Sequence, residues 1–178
     1  MPKGKIEVRS LAITYPAPNR FYAVKDLEFH VKPGEFVCLL GPSGCGKTTT
    51  LHTLAGLIKP TEGGIWVDDA PLHAPAANVQ MVFQQPHLFP WRTVADNIAF
   101  HLQINRTGQA ERAKVVDHYL RLIGLESFKD FYPAQLSLGM QHRVSLARML
   151  VANPAIMLMD EPFRSLDYQK RTELQEFL

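Results

Sequence analysis

Apolar residues along the chain fall into two periods, and the two alternate. Lys5 to Ala12 alternates loosely between apolar and polar positions and predicts a strand. A Pro- and Asn-containing turn, Pro16 to Arg20, separates it from a second strand-like run, Leu27 to Val31. After the turn at Pro33-Gly34, Phe36-Val37-Cys38-Leu39-Leu40 is apolar throughout and reads as a buried strand. A Gly-rich loop, Gly41 to Gly46, and a helix over Lys47 to Leu57 follow. Ile65 to Val67, Val79 to Phe83 and Ile156 to Met159 predict three more strands.

Helical spacing dominates between them. Thr93 is placed to cap a helix with Val94, Ile98 and Leu102 on one face. A second helix, about Ala110 to Ile123, groups Ala113, Val116, Leu120 and Ile123, and Gly124 ends it. Ser137 is placed to cap a third helix reaching Val151 and stopping at Asn153-Pro154. Tyr168 to Leu178 also reads as helical. Strands alternating with helices predict an α/β fold with a largely parallel inner sheet.

Composition narrows the partners. The chain has 178 residues, enough for one core and too few for two. Lys plus Arg exceeds Asp plus Glu by 19 − 17 = +2, too little for a nucleic-acid footprint. No stretch reaches the roughly 18 apolar residues of a membrane helix. Cys38 and Cys45 read as a small buried hydrophobe and a loop thiol. These features favour a cytosolic location, including docking on a membrane partner.

Two segments carry chemistry. Gly41-Pro42-Ser43-Gly44-Cys45-Gly46-Lys47-Thr48 satisfies G-x-x-x-x-G-K-[ST] in full, between a strand and a helix. Its glycines let backbone N–H groups surround phosphate oxygens, and the helix aims its positive end at the anion. Lys47 can reach the β- and γ-phosphates, and the Thr48 hydroxyl can ligate Mg²⁺. The apolar strand Ile156 to Met159 ends in Asp160-Glu161. Asp160 suits Mg²⁺, and Glu161 could orient or deprotonate an attacking water. Taken alone, an Asp-Glu pair is more often a solvated turn; the phosphate loop shifts the reading to function.

Further residues resemble the ATPase subunits of ABC transporters. Leu136-Ser137-Leu138-Gly139-Met140-Gln141 is similar to their signature segment, LSGGQ or LSGGM. Val82-Phe83-Gln84-Gln85 resembles their Q-loop, and Ser165-Leu166-Asp167 their D-loop. Tyr15 sits where the family places an adenine-stacking aromatic. Each has a bland reading: a strand aromatic, a helix cap, a core side chain. They occur together in the family's order over essentially the whole chain. Leu88-Phe89-Pro90-Trp91-Arg92-Thr93-Val94 with Asp96-Asn97-Ile98-Ala99-Phe100 is similar to the nitrate, taurine and alkanesulfonate importer group.

The resemblance implies a P-loop NTPase fold: a mainly parallel core sheet, an N-terminal antiparallel β part, and a helical subdomain over about residues 93–150. It implies ATP and Mg²⁺ as cofactors. The nucleotide contacts would be Tyr15, residues Gly41 to Thr49 (Thr49 included), and Ser137, Gly139 and Met140 from an opposing subunit. Thr48, Gln84 and Asp160 would hold the metal, and Glu161, Gln84 and Lys47 would serve hydrolysis. Two subunits would sandwich two ATP molecules at the cytoplasmic face of the membrane. Membrane permease subunits would contact Phe89 and Trp91, and a periplasmic or surface solute-binding protein would act indirectly.

Three departures stand out. Leu138 replaces the first signature glycine and either crowds the subunit interface or points away. Arg164-Ser165 replaces the usual Gly-Ala before the D-loop. The family continues through another inner strand to a switch histidine, and none of the seven His here takes that place. A sheet without that strand would lose backbone partners at about 1–3 kcal/mol for each buried group. The chain therefore reads as a domain incomplete at its C-terminus. Nucleotide binding without hydrolysis or transport is the alternative function.

Overall fold

The computed structural model describes residues 3–16 and 21–162. The D-loop and the helix expected over Tyr168 to Leu178 lie outside the described residues, as does most of the turn before Phe21. The chain divides into two compact units, one of Met1–Gln80 with Ala155–Leu158, the other of Met81–Pro154 with Met159–Leu178.

The first unit is built on an antiparallel sheet. Strands β1 (Ile6–Tyr15), β2 (Phe21–Val31), β3 (Glu62–Val67) and β4 (Ala70–Pro71) lie in the order β2-β1-β3-β4. Apolar positions of β1 and β3 supply the core: Val8, Leu11, Ile13 and Ile65 are buried. Gly63, at φ 69°, begins a close approach to Ser10, where a Cβ would strike the β1 backbone. Helix α1 (Lys47–Leu54) follows the Gly-rich loop and buries Thr50, Thr53 and Leu54.

The β1–β2 ladder is irregular. Ile13 faces Val24, Thr14 faces Tyr22 and Tyr15 faces Phe21. From the first pair to the second, β1 advances one residue and β2 two, so Ala23 is the extra residue of a bulge.

The second unit is helical. Helices α2 (Val94–Ile104), α3 (Gln109–Leu122) and α4 (Leu138–Val151) share one core. Val94, Ile98, Leu120, Ile123, Leu125 and Val144 are almost wholly buried in it. The caps read from sequence are made: the Thr93 hydroxyl accepts from Asp96 N at 3.1 Å, and the Ser137 hydroxyl from Met140 N at 3.3 Å. Short 3-10 turns at Glu126–Phe128 and Pro133–Gln135 link α3 to α4.

Strands β5 (Val79–Val82) and β6 (Ile156–Met159) form a two-stranded sheet. Ile156 N donates to Asn78 O and Asp160 N to Val82 O, each at 3.0 Å. Both residue numbers rise together, so the pair is parallel. The α/β architecture, antiparallel at the N-terminus and parallel here, is the one expected.

One expectation fails. Phe36 to Leu40 forms no strand; Phe36 is 88% and Leu40 86% exposed, and Cys38 is exposed rather than buried. An apolar run becomes a strand only beside one that pairs with it. Neither sheet of the described residues includes this segment.

Candidate functional site

The Gly-rich loop takes its shape from positive-φ glycines. Gly44 lies at φ 81° and Gly46, the residue before α1, at φ 95°. Gly46 is needed twice over. Its φ strains any other residue, and a Cβ would collide with Ala23 O and lie 3.0 Å from Val24 Cγ2. The loop is thereby seated against β2.

Helix α1 begins at Lys47, and its first intrahelical bond runs from Thr50 N to Gly46 O, 2.8 Å. The N–H groups of Lys47, Thr48 and Thr49 precede that bond and have no acceptor within the helix. They point their positive end toward the loop, as phosphate binding requires. Lys47 Nζ donates to Gly41 O and Pro42 O, both at 2.8 Å, and lies 3.7 Å from Cys45 Sγ. The ammonium is thus drawn over the loop by neutral carbonyls and remains a positive charge for an incoming anion. Pro42, Ser43, Cys45 and Thr48 are exposed to solvent.

Tyr15 ends β1 and is 36% exposed, with its ring centroid 5.9 Å from that of Phe21.

In the other unit, the two residues just past β6 are carboxylates with opposite environments. Asp160 is buried, and its Oδ2 has no hydrogen-bond partner among the described residues. Glu161 is exposed, has φ 50°, and accepts from Gln84 Nε2 at 3.3 Å. An L residue seldom adopts that φ. The structure thus brings Gln84 and Glu161 together. A buried, unpartnered carboxylate oxygen is a poor end state in a protein and a good ligand for a hard cation. Among the described residues no three His, Cys, Asp or Glu side chains gather to hold a metal.

Ser137 caps α4, and the first intrahelical bond there runs from Gln141 N to Ser137 O at 3.0 Å. Gly139 and Met140 are half-buried in the first turn. Leu138 is 56% exposed, so its side chain does not fill the core of its own unit.

Three residues of the second unit have structural roles that the sequence reading did not assign. Asn97 is fully buried, and its amide braces the loop before α2. Its Oδ1 accepts from Phe89 N at 2.9 Å, while Nδ2 reaches the carbonyls of Phe89, Arg92 and Thr93. A polar residue between Val94 and Ile98 on an apolar helix face was the available signal. Arg148 lies over the Phe89 ring at 5.0 Å and donates to His87 O at 2.7 Å. Burial pushes its guanidinium below the ordinary value. His142 is buried, its Nδ1 has no partner among the described residues, and burial lowers its pKa. Trp91 is 71% exposed, whereas Phe89 packs against Phe100 with ring centroids 4.6 Å apart.

A family model described as ABC transporter matches residues 24–164. An uncharacterized ABC transporter ATP-binding protein of Methanocaldococcus jannaschii is 44% identical over 99% of this chain and 66% of its own length. The nitrate import ATP-binding protein of Synechocystis sp. is 45% identical, covering 88% of this chain and 59% of the relative. The taurine import ATP-binding protein of Pelagibacter ubique is 42% identical over 92% of this chain and 62% of the relative. The chain thus spans about three fifths to two thirds of these relatives. A solved dimeric ATP-binding cassette in a post-hydrolysis state, bound to ADP and Pi, superposes with a TM-score of 0.88. It is 33% identical, and the match covers 96% of this chain and 80% of that one.

Proposed function

The chain belongs to the ABC transporter family, and on that premise we propose that it is an ATP-binding and ATP-hydrolysing subunit powering an importer. The solutes are of the nitrate, taurine or sulfonate type, by likeness to the import proteins above. The observation that carries this reading is the phosphate loop: a complete motif at the N-terminus of α1, with Lys47 drawn over it.

ATP is the substrate. Loop N–H groups and the α1 terminus bind its phosphates, Lys47 neutralises their charge, and Tyr15 stacks on the adenine. Gly41 to Thr49 is the phosphate cradle. Asp160, Thr48 and Gln84 would hold Mg²⁺, and the buried unpartnered Asp160 oxygen fits that role. Mg²⁺, when bound, draws charge from the phosphate oxygens. Glu161 accepts the proton of the attacking water, and Gln84 orients its carboxylate through the 3.3 Å contact. Ser137, Gly139 and Met140 offer the α4 terminus to the nucleotide of a second subunit in a head-to-tail dimer. Residues 93–150 act as the helical subdomain, and exposed Trp91 contacts the permease. A solute-binding protein acts one step further away.

Among the described residues no helix is long and apolar enough to cross a membrane. The subunit works at the cytoplasmic face by docking. A second reading, nucleotide binding without turnover, is favoured by the exposed Phe36 to Leu40 segment directly before the loop. Phosphate release from Mg²⁺-ATP by the purified chain separates the two. Release that disappears in Glu161→Gln supports hydrolysis; ATP binding with no release in the parent chain supports the second reading.

A further inference from the structure

The bulge at Ala23 decides which way Phe21 faces. Residues directly opposite in a ladder share a face, and successive residues alternate. Ile13 and Tyr15 therefore lie on one face of β1, and their partners Val24 and Phe21 lie on that same face of β2. Thr14 and Tyr22 lie on the other. Without the extra residue, Phe21 and Val24 would point to opposite faces.

The Ala23 carbonyl and the Val24 side chain together bound the space at Gly46, and Val24 Cγ2 is the side-chain atom that meets the phosphate loop there. Tyr15 and Phe21 thus look out on the face that carries the loop. Both rings are left to solvent, at 36% and 51% exposure. Their centroids are 5.9 Å apart with a 32° tilt, a pair that presents one broad aromatic surface. Phe21 and Val24 are three residues apart, about 10 Å of strand, a gap of the order that a ribose bridges between base and phosphates.

We propose that Phe21 is a nucleobase-binding residue, forming with Tyr15 a two-ring platform for the nucleotide whose phosphates occupy Gly41 to Thr48. The inference rests on the phosphate-loop reading above and extends it. Phe21 fixes the Tyr15 ring from the facing strand and widens the surface on which the base lies. Tyr22 provides an internal control, because it is also an exposed ring on β2 but faces the opposite way, with Lys25 Nζ 5.5 Å from its centroid.

Titration calorimetry with Mg²⁺-ATP and Mg²⁺-tripolyphosphate isolates the share of affinity owed to the nucleoside. In Phe21→Ala the preference for ATP over tripolyphosphate is expected to fall about tenfold, the size of one base–aromatic stack. Tripolyphosphate affinity and the thermal midpoint should stay at parent values. Phe21→Tyr should restore the preference, and Tyr22→Ala should leave it unchanged. A preference unaltered in Phe21→Ala overturns the proposal, as does an equal loss of both ligands. If the parent chain binds tripolyphosphate through Lys47, as loss in Lys47→Ala would show, yet prefers ATP not at all, the platform alone fails. If the parent chain does not bind tripolyphosphate, the phosphate-loop reading falls and takes the platform with it.

Discussion

Gln84 Nε2 donates to Glu161 Oε2 across 3.3 Å, joining the loop after β5 to the residue just past β6. The contact uses one carboxylate oxygen of a residue whose backbone sits at φ 50°. Glu161 is thus held by both its main chain and its side chain. If it is the base, Glu161→Gln should lower phosphate release by about 10²–10⁴-fold, the usual worth of general base catalysis. ATP binding should persist in the same variant. Retained turnover in a phosphate-release assay would remove Glu161 from the chemistry.

Asp160 invites a thermodynamic test. Among the described residues its Oδ2 is buried without a partner, an arrangement suited to a hard cation. Added Mg²⁺ should stabilise the parent chain and leave Asp160→Asn unmoved. An equal Mg²⁺ response in both proteins, read by scanning fluorimetry, would place the ion elsewhere.

His142 predicts a pH dependence. Burial lowers its folded pKa below the unfolded value near 6.5. Above that value both states are neutral and its contribution is intact. As pH falls from there toward the folded pKa, the unfolded chain takes the proton first and stability declines. Urea midpoints measured between pH 7.5 and 5.5 should show that decline, and His142→Leu should flatten the part owed to this residue. A variant with the parent slope would assign the titration to other groups.

Trp91 separates docking from folding. At 71% exposure it adds little to its own unit, so Trp91→Ala should change stability by less than about 0.5 kcal/mol. If the ring docks on a permease, its loss should weaken association with permease-containing vesicles by roughly 30-fold, the scale of an aromatic hot spot. Unchanged co-sedimentation would show that this ring is not the contact.

Much of the local structure was legible because its signals are local. Thr93 and Ser137 cap their helices as their spacing implied, and the i, i+4 face through Val94 and Ile98 is buried. The Gly41 to Thr48 loop was legible for the same reason: its φ angles are dictated by its own glycines. The bulge at Ala23 was not, since register depends on the facing strand and leaves no mark in either strand alone. The Arg148–Phe89 stack joins residues 59 positions apart, with no shared pattern to announce it.

The exposed run Phe36 to Leu40 also governs how the chain behaves at high concentration. In this uncharged, proline-free run Phe36, Val37, Cys38 and Leu40 are exposed, which makes an adhesive segment ready for edge-to-edge pairing between molecules. Glu35, immediately before it, is the one charged gatekeeper at its border. Colloidal solubility, ordinarily a property of the whole surface, is here set chiefly by whatever covers those four exposed side chains.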